Sequence, residues 1–262
     1  MEVVIVADRQ AAGELVGQAI ADLLRRRPEA VLGLATGSTP LPVYADLARR
    51  CAAGEVTFAE ARAFLLDEYV GLRPDHPEAY RAFIARELEA HVDFPSGAVQ
   101  GPDVRPTGPD LLASCDDYED AIRLAGGVDL QLLGIGTDGH IGFNEPGSSL
   151  ASRTRLKTLT DQTRQDNARF FRSLDEVPRH VVTQGIGTIL QARHLVLLAF
   201  GGEKAAAVAR AVEGPVAAMV PASALQLHPH ATVVVDEPAA GKFRQADYYR
   251  ETFAHKPGWQ GL

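Results

Sequence analysis

Short apolar runs alternate along this chain with longer stretches in which apolar residues recur every three or four positions. The short runs are rich in Val, Leu and Ile and lack strict alternation, which is typical of strands buried on both faces of a parallel sheet. They predict strands at Val3–Ala7, Val31–Ala35, Ala63–Leu66, Val128–Ile135, His194–Phe200 and Ala231–Asp236. The longer stretches predict helices at Ala11–Arg27, Leu41–Ala53, Ala79–His91, Leu111–Leu124, Glu203–Val212 and Pro238–Ala246. This alternation favours an α/β fold with helices on both faces of a mostly parallel sheet.

The domain organisation follows from length and from one gap in the pattern. The 262 residues suffice for one large α/β domain, which we prefer to two small ones, so residues 1–262 are interpreted as a single catalytic domain. The region from 150 to 191 contains no clear strand and is predicted to be a helical, lid-like excursion.

Composition and charge exclude several classes of protein. The chain is 46% apolar and 23% charged, as in ordinary globular proteins, and no apolar run approaches the roughly 18 residues of a membrane helix. The start MEVVIVAD lacks the basic residues of a signal peptide, so we expect a cytoplasmic protein with no membrane partner. A net charge of −8 argues against nucleic-acid binding. Cys51 and Cys115 lack metal-like spacing, and we expect neither a disulfide nor zinc.

The densest group of proton-handling residues follows the predicted strand at 128–135. Asp138, His140 and Glu145 lie within eight residues in the sequence GIGTDGHIGFNEPG. An imidazole between two carboxylates can be held in one orientation and can move a proton near neutral pH. A glycine-rich turn at a strand end is the structural alternative, but the combination of these groups with the preceding strand favours a catalytic loop.

A hydroxyl-rich loop follows the predicted strand at 31–35. Thr36, Gly37, Ser38 and Thr39 precede a helix that begins near Pro40, and free amide groups at such a position form a suitable phosphate site. The loop lacks the G-K-[ST] ending of a Walker A motif and the GxGxxG pattern of dinucleotide sites. Ser38 or Thr39 could also serve simply as the cap of that helix, and both interpretations are compatible.

Two further strand ends carry charged residues. Asp67 is the first charged residue after Phe64-Leu65-Leu66, where partial burial could tune it as a general base. Lys204 lies in the first turn of the helix predicted after the strand at 194–200. A cation is unfavourable there, so a bound anion would explain it, while a solvated surface lysine is the ordinary alternative.

Taken together, these motifs resemble the glucosamine-6-phosphate deaminase family. The resemblance covers nearly the whole chain, in the blocks LGLATGSTP, LDEYVGL, HPEAY, GIGTDGHIGFNEPGSSLASRTRLKTLT, QGIGTIL, EGP and LQLHPHATVVVDE. It implies a modified doubly wound, Rossmann-like three-layer sandwich and a cofactor-free reaction, in which glucosamine 6-phosphate and water give fructose 6-phosphate and ammonia.

The resemblance also implies roles for individual residues. Asp67 would be the base that moves the proton from C2 to C1, and His140, flanked by Asp138 and Glu145, would open the sugar ring. The residues implied near the substrate and its phosphate are Thr36, Gly37, Ser38, Thr39, Tyr80, Arg169 and Lys204.

A second anion site is a further hypothesis. Arg153, Arg155 and Lys157 alternate, so on an extended segment they project from one face. The surrounding block resembles the region that binds the activator N-acetylglucosamine 6-phosphate at subunit contacts in allosteric members, which implicates Ser148, Arg155 and Lys157. The resemblance implies a homo-oligomer and allows a hexamer. The structural alternative is a strand face that meets only water or a neighbouring acidic residue.

Two other functions fit parts of the sequence. The 6-phosphogluconolactonases share a G-x-D-G-H loop, but Asp67-Glu68-Tyr69 replaces their typical D-E-R, and Phe143-Asn144-Glu145-Pro146 replaces their loop ending. Sugar-phosphate-sensing domains of transcription regulators carry a helix-turn-helix, whereas this sequence begins with a strand at Val3. Both comparisons favour the deaminase. We interpret His228 and His230 as loop or packing residues.

Overall fold

A computed structural model describes residues 1–168 and 171–262 of the chain. The strands are β1 (Glu2–Val6), β2 (Val31–Leu34), β3 (Arg62–Leu65), β4 (Asp67–Tyr69), β5 (Val99–Gln100), β6 (Leu130–Leu133), β7 (Arg155–Thr158), β8 (His180–Thr183), β9 (His194–Ala199) and β10 (Ala231–Asp236). The α-helices are α1 (Arg9–Arg26), α2 (Leu41–Ala52), α3 (Tyr80–Glu87), α4 (Pro109–Leu124), α5 (Asp161–Asn167), α6 (Ile186–Ile189), α7 (Ala205–Glu213), α8 (Glu237–Ala240) and α9 (Ala246–Ala254).

A seven-stranded parallel sheet forms the centre of the fold, with strand order β1-β10-β9-β6-β2-β3-β5. From β2 the chain winds outward through β3 to β5, then returns to the other side of β2 through β6, β9 and β10. The winding therefore reverses between β2 and β6. In open parallel sheets a crevice forms at such a switch point, beyond the carboxyl ends of the strands. The predicted α/β fold class is confirmed, and all six predicted strands lie in this sheet.

The sequence of α1 illustrates how the helices are specified. The carboxylate of Asp8 accepts a hydrogen bond from the amide of Ala11 (2.9 Å) and caps the first turn. Ala12, Val16, Ile20 and Leu24 follow at helical spacing and are all buried against the sheet. Basic residues in the last turn complement the helix dipole.

A second, three-stranded antiparallel sheet with order β4-β8-β7 was not predicted. Two of its strands lie in the region 150–191, so the prediction of a purely helical excursion there was wrong. The strands β7 and β8 pair with each other, and the short helix α5 belongs to the chain that connects them. A four-residue strand with mixed burial gives little periodic signal, which explains the error.

The predicted helix Pro238–Ala246 was also wrong in extent. The helix α8 ends at Ala240, and a separate helix, α9, occupies Ala246–Ala254. The carboxylate of Asp236 caps α8 through the amide of Ala239 (2.9 Å). Among the described residues, no helix combines the length and the apolar character needed to cross a bilayer.

The amino edge of the sheet is held by a buried carboxylate. Asp129 is 5% exposed and accepts hydrogen bonds from the Val31 amide (2.8 Å), from Arg27 Nη1 (2.7 Å) and from Arg193 Nη1 (3.0 Å). It thereby joins the end of α1 to the starts of β2 and β9.

Histidines also pack at this edge. His194 and His230 stack with ring centres 3.6 Å apart, and burial, with the neighbouring positive groups, lowers the pKa of His194 to about 3. His228 is buried, with its ring nitrogens 2.8 Å from the carbonyl oxygens of Ala192 and His230. The interpretation of His228 and His230 as packing residues is confirmed.

We predict that Asp129→Asn destabilises the protein, because it removes a buried negative charge that two guanidinium groups and one amide share. The free energy of unfolding in urea should fall by about 2 kcal/mol. Asp22→Asn is the matched control, since the pair of Asp22 with Arg25 is exposed and should contribute less than about 1 kcal/mol. Equal losses in the two variants would contradict this account of the amino edge.

Candidate active site

A cavity of about 700 Å³ opens beyond the carboxyl ends of the central strands. It lies at the switch point between β2 and β6, and its walls come from the loops after β2, β6 and β9, from β4 and α3, and from the chain around α5. The predicted site residues in its wall are Thr36, Gly37, Ser38, Thr39, Asp67, Tyr80, His140 and Lys204. The structure therefore brings together loops that are far apart in sequence.

Asp67 is a buried carboxylate in the cavity wall. It begins β4 directly after β3, and it is 6% exposed. Burial raises its pKa well above the usual range, and the nearby charge of Glu68 adds to the shift. Its Oδ2 lies near Gly142, where a Cβ atom would be 3.5 Å from that oxygen and 3.0 Å from the Thr183 hydroxyl. Gly142 has φ +54°, so a glycine suits both the backbone and the space beside the carboxylate.

His140 faces the same cavity and is backed by Asp138. The imidazole Nδ1 lies 2.7 Å from Asp138 Oδ1, as a close ion-pair contact outside normal hydrogen-bond geometry, and the His140 amide donates to the same oxygen (3.1 Å). Burial alone would raise the pKa of Asp138, but the adjacent imidazole lowers it to about 2. The imidazole also packs on Gly136, where a Cβ atom would lie 2.2 Å from the ring. A side chain at 136 would displace His140.

Glu145 does not flank His140 in this structure. Its carboxylate is buried and accepts hydrogen bonds from the Thr160 hydroxyl (3.1 Å), the Thr160 amide (3.4 Å) and the Thr163 hydroxyl. Thr160 is the N-cap of α5, so Glu145 holds the start of that helix. The prediction that Asp138 and Glu145 both contact the imidazole holds only for Asp138, because the chain turns away between Gly142 and Glu145.

The loop after β2 (Thr36–Thr39, hereafter the β2 loop) and Lys204 also line the cavity. Lys204 precedes α7 as its N-cap residue and follows the loop after β9. Arg169, the third predicted phosphate ligand, lies outside the described residues. The suggestion that Ser38 or Thr39 caps α2 was wrong, since the N-cap is Pro40 and the helix has no side-chain cap.

Aromatic rings form a side wall of the cavity. Tyr80 stacks on Phe143 with ring centres 6.1 Å apart, and Tyr69 contacts Tyr80 (4.8 Å) and Phe171 (5.8 Å). Asn167 of α5 donates a hydrogen bond to the Tyr69 hydroxyl (3.0 Å). Burial raises the pKa of Tyr69 to about 12, so its hydroxyl remains protonated at neutral pH. Chain from the region 150–191 thus contributes to the wall of the site.

Glu68 supports the site in a way that the sequence analysis missed. Its carboxylate accepts hydrogen bonds from the amides of Tyr69 (2.9 Å), Tyr80 (2.9 Å) and Arg81 (2.8 Å). Two of these amides belong to the first turn of α3, which has no cap from its own N-cap residue. Because side chains alternate along a strand, Asp67 reaches the cavity and Glu68 reaches α3. The adjacent carboxylates in LDEYVGL were the available signal.

The residues of the hypothetical second site lie on and before β7. Arg155 and Lys157 are half-buried on one face of the strand, as predicted, and burial lowers the pKa of Arg155. Arg153 instead pairs with Glu119, as the structural alternative for this segment anticipated. Ser148 is buried, and its hydroxyl has no hydrogen-bond partner among the described residues.

Comparison with known proteins identifies relatives along the whole chain. Residues 7–235 match the family described as glucosamine-6-phosphate isomerases/6-phosphogluconolactonase. The chain is 64% identical over 263 residues to the glucosamine-6-phosphate deaminase of Streptomyces coelicolor, with 100% of both chains covered. It is 41% identical to a solved structure described as a monomeric glucosamine-6-phosphate deaminase, with a TM-score of 0.89 over 92% of this chain and 99% of the other.

The fold extends to more distant proteins. A 6-phosphogluconolactonase from Trypanosoma cruzi superposes with a TM-score of 0.73 at 21% identity, covering 93% of this chain and 97% of the other. At that identity the likeness concerns the fold alone. The family match over most of the chain and the high identity to full-length relatives agree with the geometry of the cavity. The chain belongs to the glucosamine-6-phosphate isomerase/6-phosphogluconolactonase family.

Proposed function

We propose that this chain is a glucosamine-6-phosphate deaminase, an enzyme that converts D-glucosamine 6-phosphate and water to D-fructose 6-phosphate and ammonia. One observation carries the proposal: a buried carboxylate, Asp67, and an oriented imidazole, His140, share one cavity with the β2 loop and Lys204. Relatives that are 60–64% identical to this chain over its full length are named glucosamine-6-phosphate deaminase.

The first step opens the pyranose ring. One proton leaves the anomeric hydroxyl and another reaches the ring oxygen, a two-way transfer that suits an imidazole. His140 performs it, with Asp138 held ionised at Nδ1 to fix the ring orientation and to stabilise the imidazolium.

The second step moves a proton between adjacent carbons of the open chain. Asp67 removes the proton from C2 while the aldehyde oxygen O1 takes up a proton, which gives an enolamine. Asp67 then returns its proton to C1 while the nitrogen gives up a proton, which gives an imine at C2. Burial makes this carboxylate a stronger base than an exposed one, because the charged form is poorly solvated. Its neighbours Gly142 and Thr183 leave space beside the reacting oxygen.

The last step is hydrolysis of the imine. Water adds to C2, the C2–N bond breaks, and ammonia leaves as the C2 carbonyl of fructose 6-phosphate forms. Every step is a proton transfer or an addition or loss of water or ammonia, which side chains can catalyse, so we propose a cofactor-independent reaction.

The phosphate positions the reacting carbons. The amides and hydroxyls of the β2 loop and the cations Lys204 and Arg169 bind it, so that binding energy at one end of the substrate orients C1 and C2 against Asp67 at the other. Tyr80 and the aromatic wall exclude water beside the sugar.

A regulatory site and an assembly are further parts of the proposal. Ser148, Arg155 and Lys157 form a second sugar-phosphate site for N-acetylglucosamine 6-phosphate, supported by the unpartnered Ser148 hydroxyl and the cationic face of β7. That this chain forms a homo-oligomer stays a prediction from the sequence. A solved structure with 41% identity is described as monomeric. The cytoplasmic location also stays a prediction from the sequence.

We expect purified protein to release ammonia and fructose 6-phosphate in equal amounts from glucosamine 6-phosphate. A coupled assay for both products, run with and without N-acetylglucosamine 6-phosphate, measures the activity and the activation together. Hydrolysis of 6-phosphogluconolactone without ammonia release would contradict the proposed function. Hyperbolic kinetics unaffected by N-acetylglucosamine 6-phosphate would remove the regulatory site but leave the activity in place.

We expect Asp67→Asn to lower kcat by about a thousandfold while substrate still binds, because it removes a general base with little change in volume. Because the folded state raises the pKa of Asp67, ionising this group costs stability as the pH rises through that pKa. Asp67→Asn should therefore unfold at a higher denaturant concentration than the wild type at pH 7.

The exposed Asp75→Asn serves as the control for both measurements. Because burial raises the pKa of Asp67, the acid limb of the wild-type kcat/KM profile should lie above the ordinary aspartate pKa of about 3.9. Exchange of the C2 proton with solvent at the wild-type rate in Asp67→Asn would refute the assignment.

We expect His140→Gln to slow turnover of the cyclic substrate by about a hundredfold or more, because proton transfer to and from the ring oxygen is lost. An open-chain substrate analogue should be affected much less. His91→Gln, an exposed histidine outside the cavity, is the control. Equal losses on the cyclic substrate and on the open-chain analogue would exclude ring opening as the role of His140.

A further inference from the structure

Arg9 lines the active-site cavity, although no motif in the sequence drew attention to it. It is the first residue of α1, next to the carboxyl end of β1. Its guanidinium carbon lies 5.2 Å from the centre of the Phe200 ring, and Phe200, Lys204 and the β2 loop line the same cavity. An arginine stacked on an aromatic ring keeps its N–H groups in one plane and available at the edge.

The start of α1 gains nothing from Arg9, whose structural contact is the one with the Phe200 ring. A cation in the first turn is unfavourable to the helix dipole, and Asp8 already caps α1. In residues 1–168 and 171–262, the guanidinium of Arg9 makes no ion pair within 4.0 Å, whereas Arg25 and Arg27, at the other end of α1, do. Glu203 lies in the same part of the wall without forming such a pair.

We propose that Arg9 is an additional phosphate-binding residue, which donates hydrogen bonds to the phosphate of the sugar substrate together with the β2 loop. The proposal rests on the proposed function for the identity of the sugar. The three non-bridging oxygens of a phosphate monoester can each accept more than one hydrogen bond, so they can accept from Arg9 in addition to the β2 loop and Lys204, and a planar guanidinium can donate to two of them at once. The chain has a net charge of −8, so an anionic substrate depends on such local cations.

If Arg9 had only a structural role, a different result would be expected. If Arg9 acted only by packing on Phe200, its removal would lower the melting temperature and leave substrate affinity in place. If it binds phosphate, removal should relieve the unfavourable charge at the start of α1, so the melting temperature stays the same or rises. Affinity and stability thus separate the two roles.

The experiment compares Arg9→Gln, Arg9→Lys and the control Arg26→Gln. Arg26 lies in the last turn of the same helix, lines a different cavity, and its substitution removes the same charge. In Arg9→Gln we expect KM for glucosamine 6-phosphate to rise about tenfold and kcat to change less than twofold, as for loss of a charge-assisted hydrogen bond in a partly solvated site. Arg9→Lys should recover part of the affinity.

Inorganic phosphate is the probe that does not depend on turnover. Its binding, measured by calorimetry and as competitive inhibition, should weaken in Arg9→Gln by the same factor as KM rises, and should not change in Arg26→Gln. Unchanged phosphate binding in Arg9→Gln, or a lower melting temperature with normal KM, would overturn the inference. If wild-type protein bound phosphate through Arg9 but released no ammonia, the proposed function would fail while this site stood.

Discussion

The pairing of β2 with β6 at the centre of the sheet is the constraint on which the site depends. Leu32 lies opposite Leu130 and Gly33 opposite Gln131, so two strands about 100 residues apart in sequence end at one place. Because the chain winds away from this pair in opposite directions, the loops that follow the two strands diverge and leave a crevice. The β2 loop lies on one side of this crevice and the loop with His140 on the other.

The antiparallel sheet connects Asp67 to the strand that carries Arg155 and Lys157. Thr183 of β8 lies opposite Asp67 of β4 and also opposite Arg155 of β7. One buried strand therefore joins the candidate base to the strand that carries the hypothetical regulatory residues. The same region continues into α5, whose start is held by Glu145 and whose end contributes Asn167 to the wall of the cavity.

The carboxylates in and around the site differ in their electrostatic environments. Asp67 and Glu68 are adjacent in sequence, yet burial dominates the environment of Asp67, whereas Glu68 accepts hydrogen bonds from three amides. Asp138 faces an imidazole, which keeps it ionised. These environments separate a candidate base, a structural cap and an orienting anion, which the residue types by themselves do not distinguish. The cations Arg9 and Lys204 line the same cavity.

The sequence by itself determined the elements with strong periodic signals and the residues that follow the strands. The six long apolar strands and the grouping of Thr36, Asp67, His140 and Lys204 at strand ends came from local pattern, because burial on both faces and the geometry of parallel sheets impose them. Only the tertiary structure decided which short segments pair and which neighbours a side chain meets. The strands β7 and β8, the turn of Glu145 away from His140, the cap formed by Glu68 and the place of Arg9 depend on contacts between distant segments, and such contacts leave no period in the sequence.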